Sequence, residues 1–391
     1  MKVISIETSC DETGISVVDI KENKDNYAFN IIANELNSQI DLHKEYGGVY
    51  PDLAKREHAK ALPLLLVKSL RVANLYKEKR ILIEEEKQNQ LYEMLSREPE
   101  LAADIMDLLS NIERPKIDAI AVTSGPGLPP ALWMGVNFAK ALSIVWDIPI
   151  IPINHMEGHI LASLLESRGG AGSYTMVTPK YPALALLISG GHTELVRFSE
   201  ISKYELIGET HDDAVGEAFD KVARMLGLPY PGGPEISRLA EYARKSQTIV
   251  RDEFRLPRPM LHSGDLNFSF SGLKTAVANI VKKVENIESN IRLELALEFE
   301  NSVTDVIVKK CEKAIYEYNA KSLIVGGGVS ANTHIKSQLS ILCNEEGVDM
   351  YYPGTGLSTD NSIMIAIAAY NKKPKALNDI RADGNWSVTK L

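Results

Sequence analysis

The chain of 391 residues has few cysteines, no long apolar run and no excess of positive charge. Its three cysteines, Cys10, Cys311 and Cys343, are too few and too scattered for a disulfide framework or a thiolate metal site. No stretch approaches the roughly 18 uninterrupted apolar residues of a membrane span. A formal net charge of -9 argues against a globally basic nucleic-acid-binding protein, although a local basic face stays open.

The remaining composition is that of an ordinary globular protein, with 45% hydrophobic and 24% charged residues. Single cores usually stop growing at roughly 250 to 300 residues, so two domains are expected. The first predicted strand begins at Val3, which leaves no room for a signal or transit peptide before it. We therefore expect a cytoplasmic protein with no membrane partner.

Two predicted hairpins have the same shape. Residues 2–7 and 14–19 form strands joined by the polar turn 8–13, and residues 181–188 turn at 189–193 and return through 194–196. This repetition predicts an α/β protein with the duplicated, two-lobed, actin-like architecture of the ASKHA class, with a ribonuclease H-like core in each lobe. Both turns would then face one cleft and offer backbone N–H groups to phosphate oxygens. The alternative is that the glycines only shape a turn.

A third turn, Gly326 to Asn332, follows a predicted strand and precedes a predicted helix. Three consecutive glycines leave room for a flat ligand, and Asn332 adds a donor and an acceptor, so the turn is a candidate nucleoside floor. A chain reversal that only needs positive φ is the alternative. Asp220 recurs with two other acidic residues at helical spacing, and could bracket ribose hydroxyls or line a solvated helix face. The turn 231–234, with Gly233, would let a ribose approach the backbone.

Two histidines four residues apart, His155 and His159, follow a predicted strand at the start of a predicted helix with Asn154 as its N-cap. Residues i and i+4 share a helix face, so the pair could chelate one metal ion, or could be surface or capping residues. Asp360 fits either as a third ligand or as a helix cap. The zinc-peptidase pattern needs a glutamate directly after the first histidine, and Met156 stands there.

These motifs together resemble the Kae/Qri/TsaD family, and its bacterial TsaD branch in particular. The resemblance runs from the first residues to about Ala369, in the same order and spacing, and rests on these segments: 7–13, 47–51, 124–128, 155–159, 189–193, 230–234, 268–274 and 326–332. It implies an actin-like fold and transfer of a threonylcarbamoyl group from threonylcarbamoyl-AMP to N6 of adenosine 37. The expected substrates are tRNAs that read ANN codons, with formation of t6A and release of AMP.

The resemblance also implies roles for single residues. The metal ligands would be His155, His159 and Asp360, holding one divalent ion per subunit, with Fe2+ expected and Zn2+ as the alternative. Asp11 and Glu12 match acidic positions near the reaction centre and are the candidate catalytic residues. The substrate-binding positions would be Leu187, Ile188, Ser189, Gly190, Gly191, Asp220, Gly233 and Asn332. The expected partners are tRNA, threonylcarbamoyl-AMP and the subunits TsaB and TsaE.

The predicted domains are an N-terminal lobe of residues 1–153 and a C-terminal lobe of residues 154–391. A last helix, about residues 362–371, is a candidate to pack back on the first lobe. A charged helical insertion near residues 76–114 departs from the family, either as a surface hairpin packed on its own lobe or as an altered surface for a partner.

Two other functions compete with the transferase. A metal-dependent peptidase (glycoprotease) would explain the histidines and leave the glycine turns unused. An ATPase or kinase of the actin-like fold would explain the turns and leave the histidines unused.

Overall fold

The computed structural model describes residues 1–23, 26–170, 172–284 and 287–391. The chain divides into two compact units. Unit 1 contains residues 1–41, 49–177 and 360–391, and unit 2 contains residues 42–48 and 178–359. None of the described helices combines the length and the hydropathy needed to cross a bilayer.

Twelve strands form two sheets within the described part of the chain. The sheet of unit 1 has the order β5-β4-β1-β2-β3-β7-β6 and that of unit 2 the order β10-β9-β8-β11-β12. The strands are β1 (Lys2–Glu7), β2 (Glu12–Asn23), β3 (Asn26–Ser38), β4 (Ala119–Gly125), β5 (Ile150–Asn154), β6 (Leu165–Ser167), β7 (Ser173–Met176), β8 (Ala183–Ile188), β9 (Thr193–Phe198), β10 (Tyr204–Glu209), β11 (Ser322–Gly326) and β12 (Asp349–Tyr351).

The two sheets repeat one pattern. In unit 1, β1, β2 and β3 pair antiparallel in sequence, and β4 and β5 continue the sheet parallel to β1. In unit 2, β8, β9 and β10 pair antiparallel, and β11 and β12 continue it parallel to β8. Each unit therefore opens with a hairpin, as the sequence predicted, and the α/β two-sheet fold is confirmed with its duplication.

Twelve α-helices surround these strands in the described residues. They are α1 (Ile40–His43), α2 (Pro51–Val72), α3 (Glu85–Met94), α4 (Pro99–Ser110), α5 (Pro129–Trp146), α6 (His155–Ala162), α7 (Val215–Met225), α8 (Gly232–Lys245), α9 (Ser271–Val281), α10 (Ser289–Tyr318), α11 (Thr333–Glu346) and α12 (Ser362–Ala368).

Each unit has its own apolar core. In unit 1, apolar residues of β1 and β2 pack with α2 and α5, where Phe138 and Trp146 are fully buried. In unit 2, α7 and α10 cover the sheet, and the rings of Phe219 and Phe299 meet edge to face with centroids 5.0 Å apart. Separate cores are expected for a chain of this length.

The units differ from the predicted boundary at residues 153 and 154. Unit 1 continues through Val177 because β7 pairs with β3 and so belongs to the first sheet. Residues 360–391 also belong to unit 1, and α12 packs against β1, β2, β3 and α6 there. This helix ends at Ala368, earlier than the predicted residue 371. Its hydrogen bond between Ser362 Oγ and Ser16 Oγ, 2.5 Å long, anchors it to β2.

The charged segment near residues 76–114 packs on unit 1. It forms α3 and α4. An isolated antiparallel β-bridge between Glu78 and Ile112 joins the two ends of the segment. Leu91 and Ile105 are fully buried in the core of unit 1. The segment is therefore a helical pair on its own unit, while its outward residues include Leu82, which is almost fully exposed.

Candidate metal centre and substrate-binding turns

The junction between β5 and α6 presents the two histidines. The Asn154 side chain accepts hydrogen bonds from the backbone N–H groups of Met156, at 3.0 Å, and Glu157, at 3.2 Å, so it caps α6 as predicted. A side-chain oxygen at this position satisfies N–H groups that have no partner within the helix. His155 and His159 then lie one turn apart, with ring centroids 4.7 Å apart, and both are buried.

Asp360 joins the two histidines. Its Oδ1 atom lies 3.1 Å from His159 Nε2 and 3.4 Å from His155 Nε2. Asp360 does not cap α12, because Asn361 accepts the hydrogen bond from Met364 N. The sequence had left a ligand role and a capping role open for Asp360, and its side chain faces the imidazoles.

The three donor atoms fit one divalent ion. Asp360 Oδ1 lies 3.4 and 3.1 Å from the two imidazole nitrogens, and all three atoms lie within 4.8 Å of one another. Two ligands that each bind at about 2.0 to 2.2 Å are at most roughly 4.4 Å apart, so the widest pair needs to close by only a few tenths of an ångström around an ion. Two imidazole nitrogens and one carboxylate oxygen form a donor set typical of catalytic sites, which keep further positions open. Unit 1 thus holds a possible His/His/Asp metal site.

Glu7 supports the first of these histidines, a role that the sequence analysis did not assign. Its buried Oε2 lies 3.2 Å from His155 Nδ1 and accepts a 2.5 Å hydrogen bond from Thr123 Oγ1. Its Oε1 accepts a 2.6 Å hydrogen bond from Ser9 N. A carboxylate on one ring nitrogen fixes the proton there and directs the other nitrogen outward. A charged residue among the apolar residues of β1 was the sequence signal for it.

The charges of the site shift its pKa values. Burial disfavours the charged form of His155, but the carboxylates of Asp360 and Glu7 outweigh it and raise the pKa of His155 well above its ordinary value. Burial likewise opposes ionisation of Asp360, and the imidazoles of His155 and His159 outweigh it and hold the pKa of Asp360 well below its usual range. The protein alone thus favours a negatively charged Asp360 facing the imidazoles.

The predicted catalytic acids lie in the turn between β1 and β2. Asp11 is buried and Glu12 is half-buried. Burial, together with the charges of Asp11 and Asp360, raises the pKa of Glu12 to about 10. Glu7 precedes this turn and contacts His155, and a Cβ on Gly14, just after the turn, would lie 3.1 Å from Ser362 N, so the turn lies close to the predicted metal ligands. Six carboxyl and imidazole groups of unit 1 thus come together from three distant segments: Glu7, Asp11, Glu12, His155, His159 and Asp360.

The predicted substrate-binding residues lie in unit 2. Leu187 and Ile188 are fully buried at the end of β8, so only their backbone is available to a ligand. In the turn that follows, Gly190 and Gly191 are exposed, with no atom within 4 Å of an added Cβ. The Ser189 hydroxyl accepts from the backbone N–H groups of Gly191, at 3.3 Å, and His192, at 3.1 Å.

Two glycines, Gly216 and Gly327, pack closely against the backbone at the turn of residues 189–193. A Cβ on Gly216, in α7, would lie 2.7 Å from the Ser189 carbonyl oxygen. A Cβ on Gly327 would lie 2.5 Å from the Ile188 carbonyl oxygen, and Gly327 has a φ of +89°. Glycine is required at both places because backbone meets backbone. The turn at residues 189–193 and the turn at residues 326–332 are therefore neighbours, as one ligand site formed by both turns would require.

The remaining predicted contacts follow along α7 and α8. Asp220 Oδ1 accepts a 2.7 Å hydrogen bond from Gly232 N, which begins α8, so the predicted turn at residues 231–234 is largely a helix start. Gly233 lies next in that helix, where an added Cβ would only meet Phe219 Cβ at 3.9 Å. Asp220 is thus tied to the helix, beside the turns rather than on a solvated face.

Asn332 is engaged within the protein. Its side-chain oxygen accepts from the N–H groups of His334 and Ile335, which makes it the N-cap of α11. Its side-chain nitrogen donates to Ser237 Oγ at 2.8 Å and to Glu300 Oε1 at 2.7 Å. Two donors and two lone pairs exhaust the amide. The side chain therefore shapes the turn that the sequence assigned to a ligand.

Comparisons with known proteins agree with these features. The model of the family "TsaD: tRNA N6-adenosine threonylcarbamoyltransferase" matches residues 30–83 and 99–367, and the gap contains α3. The tRNA N6-adenosine threonylcarbamoyltransferase of Burkholderia mallei (strain ATCC 23344) is 43% identical over 375 residues, 94% of this chain and 91% of that protein. That of Burkholderia ambifaria (strain MC40-6) is 42% identical over 395 residues, 99% of this chain and 97% of that protein.

Among solved structures, a ROK hexokinase from Thermus thermophilus is similar at a TM-score of 0.40 and 12% sequence identity, over 95% of this chain and 98% of that chain. The relatives and the family model do identify the chain as a transferase with an actin-like fold. It belongs to the TsaD family of tRNA N6-adenosine threonylcarbamoyltransferases.

Proposed function

We propose that the chain transfers the threonylcarbamoyl group of threonylcarbamoyl-AMP to N6 of adenosine 37 in tRNAs that read ANN codons. The N6 nitrogen forms a bond to the carbamoyl carbon, and the bond from that carbon to the phosphate oxygen breaks. AMP leaves with the electron pair, and N6 loses one proton. The observation that carries this proposal is the approach of His155, His159 and Asp360 to within 4.8 Å in a chain of this family.

The metal proposed for this site is one divalent ion per subunit, Fe2+ with Zn2+ as the alternative. His155 and His159 would hold it through Nε2 and Asp360 through Oδ1, because these atoms face one another. When bound, such an ion supplies Lewis acidity that makes an acyl carbon more electrophilic. Glu7 keeps His155 oriented for this role, since it contacts Nδ1 and leaves Nε2 free to bind.

Asp11 and Glu12 are proposed to handle the proton that N6 loses. The lone pair of the adenine amine is delocalised into the ring, so removal of a proton helps it to react. The two carboxyl groups interact with each other, and Glu12 lies within electrostatic reach of Asp360. We assign Asp11 as the acceptor and Glu12 as the neighbour that shares the proton.

The turns of unit 2 are proposed to bind the adenylate. In the turn of Ser189, Gly190 and Gly191, the Gly190 N–H would meet its phosphate first, because exposed glycines let a phosphate approach closely. The Ser189 N–H donates to the His192 carbonyl oxygen and the Gly191 N–H to the Ser189 hydroxyl, so these two bonds hold the turn in shape. Leu187, Ile188, Asp220, Gly233 and Asn332 would contribute backbone or shape the pocket. The prediction that these turns share one cleft with the metal site stays a prediction.

Each competing function leaves part of the site unexplained. A zinc peptidase of the HExxH type carries its glutamate base directly after the first histidine, where Met156 stands, and Glu157 Oε2 lies 2.9 Å from Lys372 Nζ. An actin-like kinase would not need the two buried histidines or Glu7. The proposed partners are the tRNA and the subunits TsaB and TsaE, and the proposed location is the cytoplasm, where tRNA is modified.

The deciding experiment is transfer of labelled threonine into tRNA that lacks t6A, with the adenylate-forming enzyme and the partner subunits present. We expect label in transcripts with adenosine at position 37 and none in transcripts with guanosine there. We also expect one AMP to be released for each labelled threonine that is incorporated into tRNA. Turnover of a peptide or a sugar with no labelled tRNA would reject the proposal.

A further inference from the structure

The turn that carries Asp11 and Glu12 is held from behind by a buried histidine of α2. His58 Nε2 lies 3.0 Å from the Cys10 carbonyl oxygen, and His58 Nδ1 lies 2.7 Å from Thr13 Oγ1. A carbonyl oxygen only accepts, so Nε2 donates to Cys10, while Nδ1 shares a hydrogen bond with the threonine hydroxyl. One imidazole therefore bridges the two residues on either side of the acidic pair.

Gln39 completes this arrangement. Its backbone N–H donates to the Asp11 carbonyl oxygen at 3.0 Å, and its side-chain nitrogen lies 3.4 Å from His58 Nδ1 and 3.4 Å from the Ala54 carbonyl oxygen. Both Gln39 and His58 are almost completely buried. The turn is thus fixed at two carbonyl groups and one hydroxyl by groups that water does not reach.

The acidic pair lies in a crowded and buried place. Burial, Asp11, Asp360 and Glu7 all disfavour ionisation of Glu12, so the spacing of these carboxyl groups governs which of them holds a proton. The attachments of His58 to Cys10 and Thr13 fix that spacing from the side of the turn.

We propose that His58 is a positioning residue for the transfer reaction: it fixes the turn so that Asp11 and Glu12 stay beside the metal ligands. This inference rests on the proposed function. It also gives the motif at residues 47–51 a purpose, because α2 begins at Pro51 and His58 lies two helical turns further on. The motif starts the helix at the residue that brings His58 beneath the turn.

Three substitutions at this residue separate its two hydrogen bonds. His58→Gln places an amide donor where Nε2 stood and keeps the bond to Cys10, whereas His58→Asn places an acceptor where Nδ1 stood and keeps the bond to Thr13. His58→Phe keeps neither. Each variant is measured in the full chain with its partner subunits, by kcat, by KM for tRNA and by the rate of Cys10 alkylation located by mass spectrometry.

The expected result is a loss of kcat without a matching change in KM. In His58→Phe we expect kcat to fall about 10²-fold, as for misplacement of reacting groups by about 1 Å. KM for tRNA should stay unchanged because the turn does not supply the tRNA affinity. Cys10 is half-buried, and its alkylation should accelerate because a turn that moves exposes the thiol further. His58→Gln should recover most of the lost kcat, and His58→Asn less, because the Cys10 bond lies next to Asp11.

Ser69→Ala is the matched control. Ser69 lies on the same helix, is fully buried, and donates a 3.0 Å hydrogen bond to the Ile15 carbonyl oxygen of β2. The substitution removes an equally buried bond between α2 and β2, but away from the turn. We expect lower stability, unchanged kcat and unchanged Cys10 alkylation.

Wild-type kcat and Cys10 alkylation in a folded His58→Phe protein would overturn the proposal, and so would a kcat loss in Ser69→Ala equal to that in His58→Phe. If His58→Phe does not fold, His58→Gln, His58→Asn and Thr13→Val decide by the same two measurements. A wild-type protein without transfer activity would reject the proposed function instead, and Cys10 alkylation would still report whether His58 holds the turn.

Discussion

The two clusters of candidate residues differ in the atoms they present. In unit 1, side chains face one another: His155, His159 and Asp360 point to one position, and Glu7 supports them from behind. In unit 2, the exposed atoms belong to backbone, because Gly190 and Gly191 carry no side chain and Asn332 is engaged in the fold. Side-chain chemistry and backbone shape respond differently to substitution, and that difference can be measured.

The largest effect is expected from removal of a metal ligand. His155→Ala and Asp360→Ala should each lower metal content and transfer by more than about 100-fold, since loss of a supporting residue alone costs 10- to 100-fold. Metal analysis and labelled-threonine transfer test this. Gly190→Ala, in unit 2, is the control and should keep its metal. Full metal content in both ligand variants would place the ion elsewhere.

The next effect concerns Glu7. Glu7→Gln removes the negative charge beside His155 Nδ1 and leaves one acceptor oxygen for two donors, His155 Nδ1 and the Ser9 N–H, so metal affinity should weaken about 10- to 100-fold. Competition with a chelator measures the affinity directly. Thr123→Val removes the other partner of the same carboxylate oxygen and should weaken it much less. Equal losses of metal affinity in both variants would mean that Glu7 acts through packing and not through its hydrogen bond to His155.

A smaller effect is expected in unit 2, on folding rather than on metal. Gly327→Ala should lower the free energy of unfolding by about 1 to 3 kcal/mol, because its φ is +89° and the added Cβ meets the Ile188 carbonyl oxygen at 2.5 Å. Denaturant titration measures this. Gly190→Ala, which has open space around it, should keep wild-type stability. A stable Gly327→Ala protein would show that the turns can separate without cost.

The smallest effect is a pH dependence in β9. Burial, and then the charge of Glu209, raises the pKa of Glu194 to about 7 from an ordinary value of 4.5. The folded state then binds more protons than the unfolded state between these values, so stability falls as pH rises from about 4.5 to about 7. Glu194→Gln removes this loss and should gain about 1 kcal/mol at pH 8, discounted for partial exposure, and nothing at pH 4.5.

Thermal unfolding at the two pH values, with metal content as the second measurement, tests this prediction. The metal content of Glu194→Gln should equal that of the wild-type protein. A stability gain that is the same at both pH values would show that ionisation of Glu194 is not its cause.

The sequence predicted that His155 and His159 lie together, because residues at i and i+4 share one face of a helix. The two hairpins were also predictable, since alternating apolar residues and polar turns define strands. Glu7 received no role because a strand position does not reveal what lies opposite it. Its partner His155 is 148 residues away in sequence.

Residue type alone did not reveal how Asn332 and the acidic residues at 213 and 217 are held within the fold. Asn332 caps α11, and Lys221 pairs with Asp213 and Glu217 at 2.7 Å each, while the ligand contacts proposed for Asn332 stay a prediction. The two compact units also differ from the predicted lobes. Strand β7 pairs with β3, and residues 360–391 belong to unit 1. No local sequence pattern indicates either of these long-range contacts.

Unit 1 is built from distant parts of the chain, so its parts are synthesised at different times. Asp360 follows His159 by 201 residues, and a ribosome that adds about 5 to 20 residues per second needs roughly 10 to 40 seconds for them. All of residues 178–359 of unit 2 emerge in that interval. A nascent chain therefore contains both imidazoles long before their carboxylate exists, and the three side chains can meet only after residues 178–359 of unit 2 have been made.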